Sequence, residues 1–188
     1  MFYSGQNNLI TDVDNILVGN AEDKDIGTGT TILIPPIGST AAADVRGGAP
    51  GTREVGALNP YNLVDTIDAI VLSGGSAWGL EAASSAANFI GKSGRGFKTS
   101  ENIKNVPMVP AAILFDLSNG GNKDWGDTPP YNKLGIEAAS KASIKFKLGN
   151  IGAGYGAKAG SLKGGLGSAS FENAEGLKVG GLFAVNSF

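Results

Sequence analysis

A short glycine-rich segment near the middle of the chain has the composition of a reactive or anion-binding turn. It reads Gly74-Gly75-Ser76-Ala77-Trp78-Gly79 and lies between an apolar run and an alanine-rich helical pattern. Backbone N–H groups at such a helix start can bind an anion, and a serine on a strained turn can present its hydroxyl to a reactant. The alternative is structural: the glycines would permit close packing of helix on sheet, with Ser76 as the N-cap. The segment lacks the lysine of a phosphate-binding loop and the register of a G-x-S-x-G turn.

Asn186 stands at the end of the last apolar run, 182–185. We expect it to be buried there, and a buried amide needs hydrogen-bond partners. Its side-chain NH₂ group could donate to the oxyanion that develops during attack on a carbonyl. An ordinary turn asparagine would have the same spacing, so the sequence leaves both interpretations open.

Another glycine-rich segment, 44–54, contains four charged residues. They are Asp44, Arg46, Arg53 and Glu54. Because their signs balance, an ion-pair network that holds the loop is favoured over a site in which arginine binds a substrate carboxylate. The clustered glycines predict backbone packed closely against a neighbour.

A third glycine cluster, 149–156, matches the pattern G-x-G-x-x-G only loosely. It lacks a clean strand before it and a helix after it. A tight loop, or the backbone wall of a cleft, is therefore expected rather than a dinucleotide site. The cluster opens a longer glycine-rich loop, 149–167, which also contains Lys158 and Lys163.

The composition excludes several kinds of active site. The 188 residues contain no cysteine and no histidine, so thiolate catalysis, a Ser-His-Asp triad and the common zinc sites cannot be built from this chain alone. We expect no metal and no cofactor. The net charge of −2 gives no reason to expect nucleic acid or a membrane as a partner. The first ten residues lack the pattern of a signal peptide, which favours a cytoplasmic protein.

A mixed α/β fold must position these segments. The strongest helical pattern covers 77–90, where alanines would let the helix lie close to a sheet and Gly91 would end it. A second helix is predicted over 133–141, and Asn62 could cap a short helix over 62–65. Apolar runs predict strands at 15–18, 30–34, 40–45, 69–72, 113–117, 167–171 and 178–185.

Six segments, in order and at matching spacing, resemble the self-cleaving L-aminopeptidase/D-esterase family, which includes β-aminopeptidases and an endo-acting nylon-oligomer hydrolase. The resemblance extends from about Asn8 to Phe188. The segments are DVRGGAPGTRE at 44–54, AIVLSGGSAWGL at 69–80, VPAAILFDL at 109–117, GNIGAG at 149–154, KGGLGSAS at 163–170 and AVN at 184–186.

The resemblance implies a four-layer α/β/β/α sandwich, a fold shared with ornithine acetyltransferases. Members of the family are made as precursors that cut themselves before a Ser or Thr, which becomes the N-terminal nucleophile of a smaller β-chain and can use its own amine as base. Residues 1–188 would be a single domain, the α-chain portion, incomplete without the C-terminal β-chain that carries the nucleophile. The implied partners are that β-chain, further αβ units in a homo-oligomer, and a small peptide or amide substrate.

The resemblance also assigns roles to residues of this chain. Asn186 matches the family's oxyanion-hole asparagine, and Phe115 matches a tyrosine that lines the cleft of the nylon-oligomer hydrolase. Family aminopeptidases bind the substrate amine with an acid that has no counterpart in 109–112, and a glycine-loop lysine of the hydrolase has no clean match in 160–163. The substrate cleft is assigned to Gly74, Gly75, Ser76, Trp78 and Phe115.

Three hypotheses for function stay open. The leading one is the α-part of a self-processing amide or peptide hydrolase, of aminopeptidase or amidase type and inactive alone. The second is an acetyltransferase-like relative on the same fold, against which the 44–54 motif argues. The third is an inactive assembly scaffold, favoured by the end of the sequence in what looks like an interior strand.

Overall fold

A computed structural model describes residues 1–187, so the end of the predicted domain at Phe188 lies outside the described residues. The helices are α1 (Glu81–Gly91) and α2 (Tyr131–Ser140), and 3-10 turns cover Ile10–Asp12, Val55–Leu58, Ser76–Leu80 and Gly152–Gly154. The strands are β1 (Phe2–Ser4), β2 (Leu17–Asp23), β3 (Thr28–Ile34), β4 (Thr52–Arg53), β5 (Ile70–Ser73), β6 (Ala111–Ile113), β7 (Lys158–Ala159), β8 (Leu162–Lys163), β9 (Leu166–Asn173) and β10 (Lys178–Ala184).

A five-stranded sheet in the order β2-β3-β5-β6-β4 forms the centre of the fold. Its strands pair antiparallel except β5 and β6, which run parallel with Val71 opposite Ala111. The carboxyl ends of two parallel strands meet at one edge of a sheet, where crevices for ligands commonly form. Here those ends lead into the segments 74–76 and 114–116.

Both α-helices cover one face of this sheet. Ala82, Ala83 and Ala86 of α1 are fully buried, in one core cluster with Ile32 and Val71 of the strands. The helices also contact each other closely, since a Cβ at Gly135 of α2 would collide with the Ala82 carbonyl and the Ser85 hydroxyl. The small residues of α1 therefore serve the close packing that the sequence predicted. None of the helices described in residues 1–187 has the length and apolarity needed to cross a bilayer.

A second sheet, in the order β1-β9-β10, packs beyond the first. A small apolar cluster joins the two sheets, with Leu72 of β5 and Ala184 of β10 packed around the buried Leu114, Ala153 and Ala157. The layers of the described residues are thus helices, five-stranded sheet and three-stranded sheet. Two β-layers with helices outside one of them form three of the four layers that were predicted.

The outward face of the three-stranded sheet is apolar and exposed within residues 1–187. Phe171 of β9 lies opposite Val179 of β10, and Phe183 projects from the same face of β10 because side chains alternate along a strand. These side chains are 56%, 54% and 60% exposed. Apolar patches of this kind are typical of interaction surfaces, ligand grooves or aggregation-prone sites.

Three predicted elements differ from the structure. Residues 40–45 form no strand but an irregular segment. Residues 62–65 form no helix, because the Asn62 side chain donates instead to the Gly56 carbonyl at the end of a 3-10 turn. The strand expected at 113–117 is β6, Ala111–Ile113, since the chain turns away where Asp116 is drawn into a buried hydrogen-bond cluster.

The helix boundaries are close to those predicted, with two corrections. The segment 77–90 begins as a 3-10 turn and becomes α-helical only at Glu81. Gly91 is the last helical residue rather than the stop signal, and the left-handed conformation that ends the segment belongs to Gly94, with φ of +81°.

Candidate active site

The Gly74–Ser76 turn joins β5 to the 3-10 turn before α1 and is held very close to its surroundings. Gly74 is buried against Asp116 and Thr28, and Gly75, with φ of +88°, lies against the Tyr131 ring, so a Cβ on either glycine would collide with these groups. Ser76 has φ of +53°, a conformation that costs a residue with a Cβ about 1–2 kcal/mol. The turn therefore packs closely against its neighbours and also holds Ser76 in a strained conformation. The sequence had left close packing and a strained serine turn open as alternatives.

The expected N-cap role of Ser76 is wrong. Gly75 occupies the cap position, and no side chain makes a capping hydrogen bond there. The Ser76 N–H donates instead to the Leu114 carbonyl at 3.0 Å, and the Gly75 N–H donates to Asp116 Oδ1 at 2.8 Å. Two of the three backbone donors of the turn thus fix it against the segment 114–116, and the third, the Gly74 N–H, donates to the Gly29 carbonyl at 2.9 Å.

A buried polar cluster supports the turn from behind. Asp116 is fully buried and accepts a hydrogen bond from the Thr28 hydroxyl at 2.6 Å in addition to that from Gly75. The Tyr131 hydroxyl lies 3.4 Å from the Thr28 hydroxyl. Burial raises the pKa of Tyr131 to about 12, and the nearby Asp116 charge acts in the same direction. The hydrogen bond with Thr28 lowers the pKa, but by less than burial raises it. The only sequence signal for this cluster was the single charged residue in the apolar segment 106–117.

Asn186 lies beside the same segment, directly after β10. Its Oδ1 accepts a hydrogen bond from the Phe115 N–H at 2.8 Å. Within residues 1–187 its Nδ2 group has no acceptor, and the residue is exposed rather than buried as expected. An amide that accepts through its oxygen keeps both N–H bonds of its nitrogen available as donors.

Aromatic side chains flank the site. Phe115 is 51% exposed and Trp78 is 56% exposed. The Trp78 ring meets Trp125 edge to face, with ring centroids 6.3 Å apart, and Trp125 meets the buried Tyr131 in the same way at 6.0 Å. This aromatic row links the surface at Trp78 to the ring that supports Gly75.

The structure therefore brings most of the predicted site residues together around the segment 114–116. The Gly74–Ser76 turn is bonded to this segment on one side and Asn186 on the other. Trp78 lies on the 3-10 turn that follows Ser76. Among the described residues, no three Asp or Glu side chains are grouped so that they could hold a metal ion.

The charged glycine segment does not form one network. Asp44 and Arg46 pair with each other at 2.7 Å on the surface, whereas Arg53 pairs with Glu54 at 3.1 Å. Glu54 also accepts the Val109 N–H at 3.2 Å, which ties β4 to the start of β6. The expected close packing is absent at Gly47 and Gly48, which have open space around them, and present at Gly51, which lies against Ile113.

The third glycine cluster is a tight loop under β3. Gly152 has φ of +52° and lies so close to Gly29 that a Cβ on Gly29 would collide with the Gly152 carbonyl. The Ala153 N–H donates to the Thr31 hydroxyl at 2.9 Å. The segment is thus a tight loop, one of the two forms that the sequence predicted, and Ala153 and the nearby Ala157 pack between the two sheets.

Comparisons with known proteins agree with this geometry. The sequence profile described as "Peptidase family S58" matches residues 8–188. An uncharacterized aminopeptidase of Mycobacterium tuberculosis is 42% identical over 188 residues, which cover 96% of this chain and 53% of the relative. A 6-aminohexanoate-oligomer endohydrolase of Kocuria sp. (strain KY2) is 30% identical over 162 residues, covering 85% of this chain and 41% of the relative. The chain spans about half the length of the curated relatives it matches.

Solved structures show the fold. A β-aminopeptidase of a Burkholderia species superposes with a TM-score of 0.72 at 23% identity, over 99% of this chain and 54% of its own. The L-aminopeptidase D-Ala-esterase/amidase of Ochrobactrum anthropi, described as a variant of the Ntn-hydrolase fold, superposes with a TM-score of 0.71 at 18% identity, over 98% of this chain and 54% of its own. The fold class predicted from the sequence is confirmed.

Proposed function

The chain belongs to peptidase family S58, as the sequence resemblance predicted, and from this membership we propose that it is the α-part of a self-processing amide hydrolase. In this proposal residues 1–188 form one domain that supplies an oxyanion-stabilising amide and the substrate cleft. The nucleophile belongs to a further segment, the β-chain. Relatives named as an aminopeptidase and as an oligomer endohydrolase support chemistry at amide bonds.

The observation that carries the proposal is the geometry of Asn186. A hydrogen bond of 2.8 Å from the Phe115 N–H fixes its Oδ1, and Phe115 belongs to the segment that also holds the Gly74–Ser76 turn. The Nδ2 group is thereby oriented before any substrate arrives. Preorganised donors of this kind stabilise the transition state because no reorganisation is needed when charge develops.

Residues 1–188 contain no histidine that could act as a base, and the family resemblance implies an N-terminal nucleophile. A Ser or Thr whose own freed α-amine acts as base needs only hydroxyl and amine within reach of the scissile carbonyl. The apolar outer face of the three-stranded sheet and the unpaired edge of β10 within residues 1–187 offer the surface on which such a segment would pack. We extend the proposal to an oligomer of processed αβ units that acts on small peptides or amides, in which Gly74, Gly75, Ser76, Trp78 and Phe115 line the cleft.

The test is made on the full-length protein expressed from its native coding region. Intact-mass analysis and N-terminal sequencing should reveal a second polypeptide that begins with Ser or Thr. With the processed protein, Asn186→Ala should lower kcat on chromogenic amino-acid anilides by about 10²–10³, because one oxyanion-hole donor is removed, and should change KM little.

Asn88→Ala is the matched control, since Asn88 is an exposed asparagine on α1. It should leave kcat and processing unchanged. A protein that is never cut, or a processed Asn186→Ala variant with the kcat of the parent, would contradict the proposal.

A further inference from the structure

A small basic cavity lies beside the candidate active site. Its volume is about 190 Å³, and its wall includes Lys24, Lys158, Lys163 and the backbone of Gly120 and Gly156. Within residues 1–187, no acidic residue lines it. The glycines leave room for a ligand to approach backbone as well as ammonium groups.

Two of these lysines face each other in an unfavourable way. Lys158 of β7 and Lys163 of β8 are direct cross-strand partners in an isolated two-stranded hairpin. Like charges placed directly opposite each other destabilise a strand pair. Unfavourable local interactions of this kind are expected at functional sites. An anion bound between the two ammonium groups would offset their repulsion.

The third lysine reaches the cavity from the turn between β2 and β3. Lys24 is flanked by Asp23 and Asp25, but Asp23 Oδ1 is occupied by the N–H groups of Asp25 and Ile26 at 3.1 and 3.0 Å. The turn itself is held by Lys123, whose Nζ donates to the Ile26 and Gly27 carbonyls at 2.6 and 3.1 Å. The position of Lys24 is thus supported by two sets of hydrogen bonds.

One short turn connects this cavity with the candidate active site. The Asn119 N–H donates to the Asp116 carbonyl at 3.0 Å, and the Asn119 side chain donates to the Gly156 carbonyl at 2.9 Å. Asp116 in turn follows Phe115, the partner of Asn186. The segment 115–120 therefore contains both the hydrogen-bond partner of Asn186 and part of the cavity wall.

We propose that this cavity binds a carboxylate of the substrate, so that the preferred substrates are amides or short oligomers with a free carboxyl group. The proposal rests on the proposed amide hydrolysis, because every oligomer of amino acids ends in a carboxylate and every cleavage releases a new one. Lysine ammonium groups suit this task as compact point charges on flexible stems. Binding here would hold the acidic end of the substrate while the scissile amide lies near Asn186.

The test measures binding rather than turnover, so that it stays informative if the hydrolase proposal fails. The full-length protein is titrated calorimetrically with glutarate, with the neutral analogue glutaramide and with inorganic phosphate. Glutarate should bind with one site per chain and weaken as salt is added, whereas glutaramide should not bind and phosphate should bind less tightly than glutarate.

The double variant Lys158→Ala/Lys163→Ala should weaken glutarate binding at least tenfold. The control Lys98→Ala/Lys104→Ala removes the same charge from exposed lysines of a different cavity and should leave it unchanged. All four side chains are exposed, so circular dichroism should show both variants folded. The proposal is overturned if the two double variants bind glutarate alike, if glutaramide binds as well as glutarate, or if only phosphate binds.

Discussion

Substitution of Gly75 by alanine should distort the candidate active site for two reasons, a steric collision and backbone strain. Gly75 has φ of +88°, and a Cβ there would collide with the Tyr131 ring. The ring cannot move aside easily, because Tyr131 is fully buried and its other edge meets Trp125. The collision must therefore be relieved by a shift of the Gly74–Ser76 turn.

The magnitude follows from three contributions to the free energy of unfolding. The left-handed conformation costs alanine about 1–2 kcal/mol, and overpacking of a buried site costs about 1–3 kcal/mol. Alanine has less conformational entropy than glycine in the unfolded chain, and this difference stabilises the folded variant by about 0.4–1 kcal/mol. Gly75→Ala should therefore destabilise the protein by about 1–5 kcal/mol.

Urea unfolding monitored by circular dichroism measures this change, with comparison at constant m-value. Gly47→Ala is the matched control for the backbone, since Gly47 has φ of +93° but nothing near its would-be Cβ. It should cost about 1 kcal/mol. Gly48→Ala lies in open space without a left-handed φ and should be close to neutral. If Gly75→Ala costs no more than Gly47→Ala, the argument from the Tyr131 contact is refuted.

Three further predictions concern the buried and titrating groups. Asp116→Ala leaves the Thr28 hydroxyl and the Gly75 N–H without their acceptor, so it should lower the free energy of unfolding by about 2–5 kcal/mol; the exposed control Asp127→Ala should be neutral in the same urea assay. Partial burial raises the pKa of Asp12, but hydrogen bonds from Ser170, Asn7 and Leu9 outweigh it and lower the pKa to about 2. The stability from Asp12 is therefore complete above about pH 4 and lost as the pH falls towards 2, and Asp12→Asn should flatten the acid limb of a pH–stability curve. Tyr131, whose pKa burial raises to about 12, contributes stability that is present below about pH 10 and lost as the pH rises through 12; a tyrosinate absorbance step near pH 12 should vanish in Tyr131→Phe.

The sequence predicted those parts of the fold that depend on local pattern. The small apolar residues of α1 repeat at the helical period, and β3, β5, β9 and β10 correspond to short apolar runs bounded by turn residues. The segment 40–45 shares the composition of a strand but finds no neighbouring strand to pair with, and pairing is a tertiary property that composition does not contain.

The sequence named candidate site residues but did not predict their environment. Asp116 and Thr28 are 88 residues apart in the sequence. No rule of sequence spacing predicts that a threonine in one strand will contact an aspartate that follows a different strand. The burial expected for Asn186 was inferred from the apolar strand before it, yet exposure depends on what packs on that strand. The order of the six family segments predicted the fold better than any of their separate patterns.

The uncovered face of the three-stranded sheet has a consequence for how the protein must be made. Phe171 lies on the central strand β9, and Val179 and Phe183 lie on the edge strand β10, whose outer side is unpaired within residues 1–187. Flat apolar strands with an open edge are templates for aggregation between identical chains. During synthesis, strands β9 and β10 therefore present an aggregation-prone surface for as long as no other segment covers it.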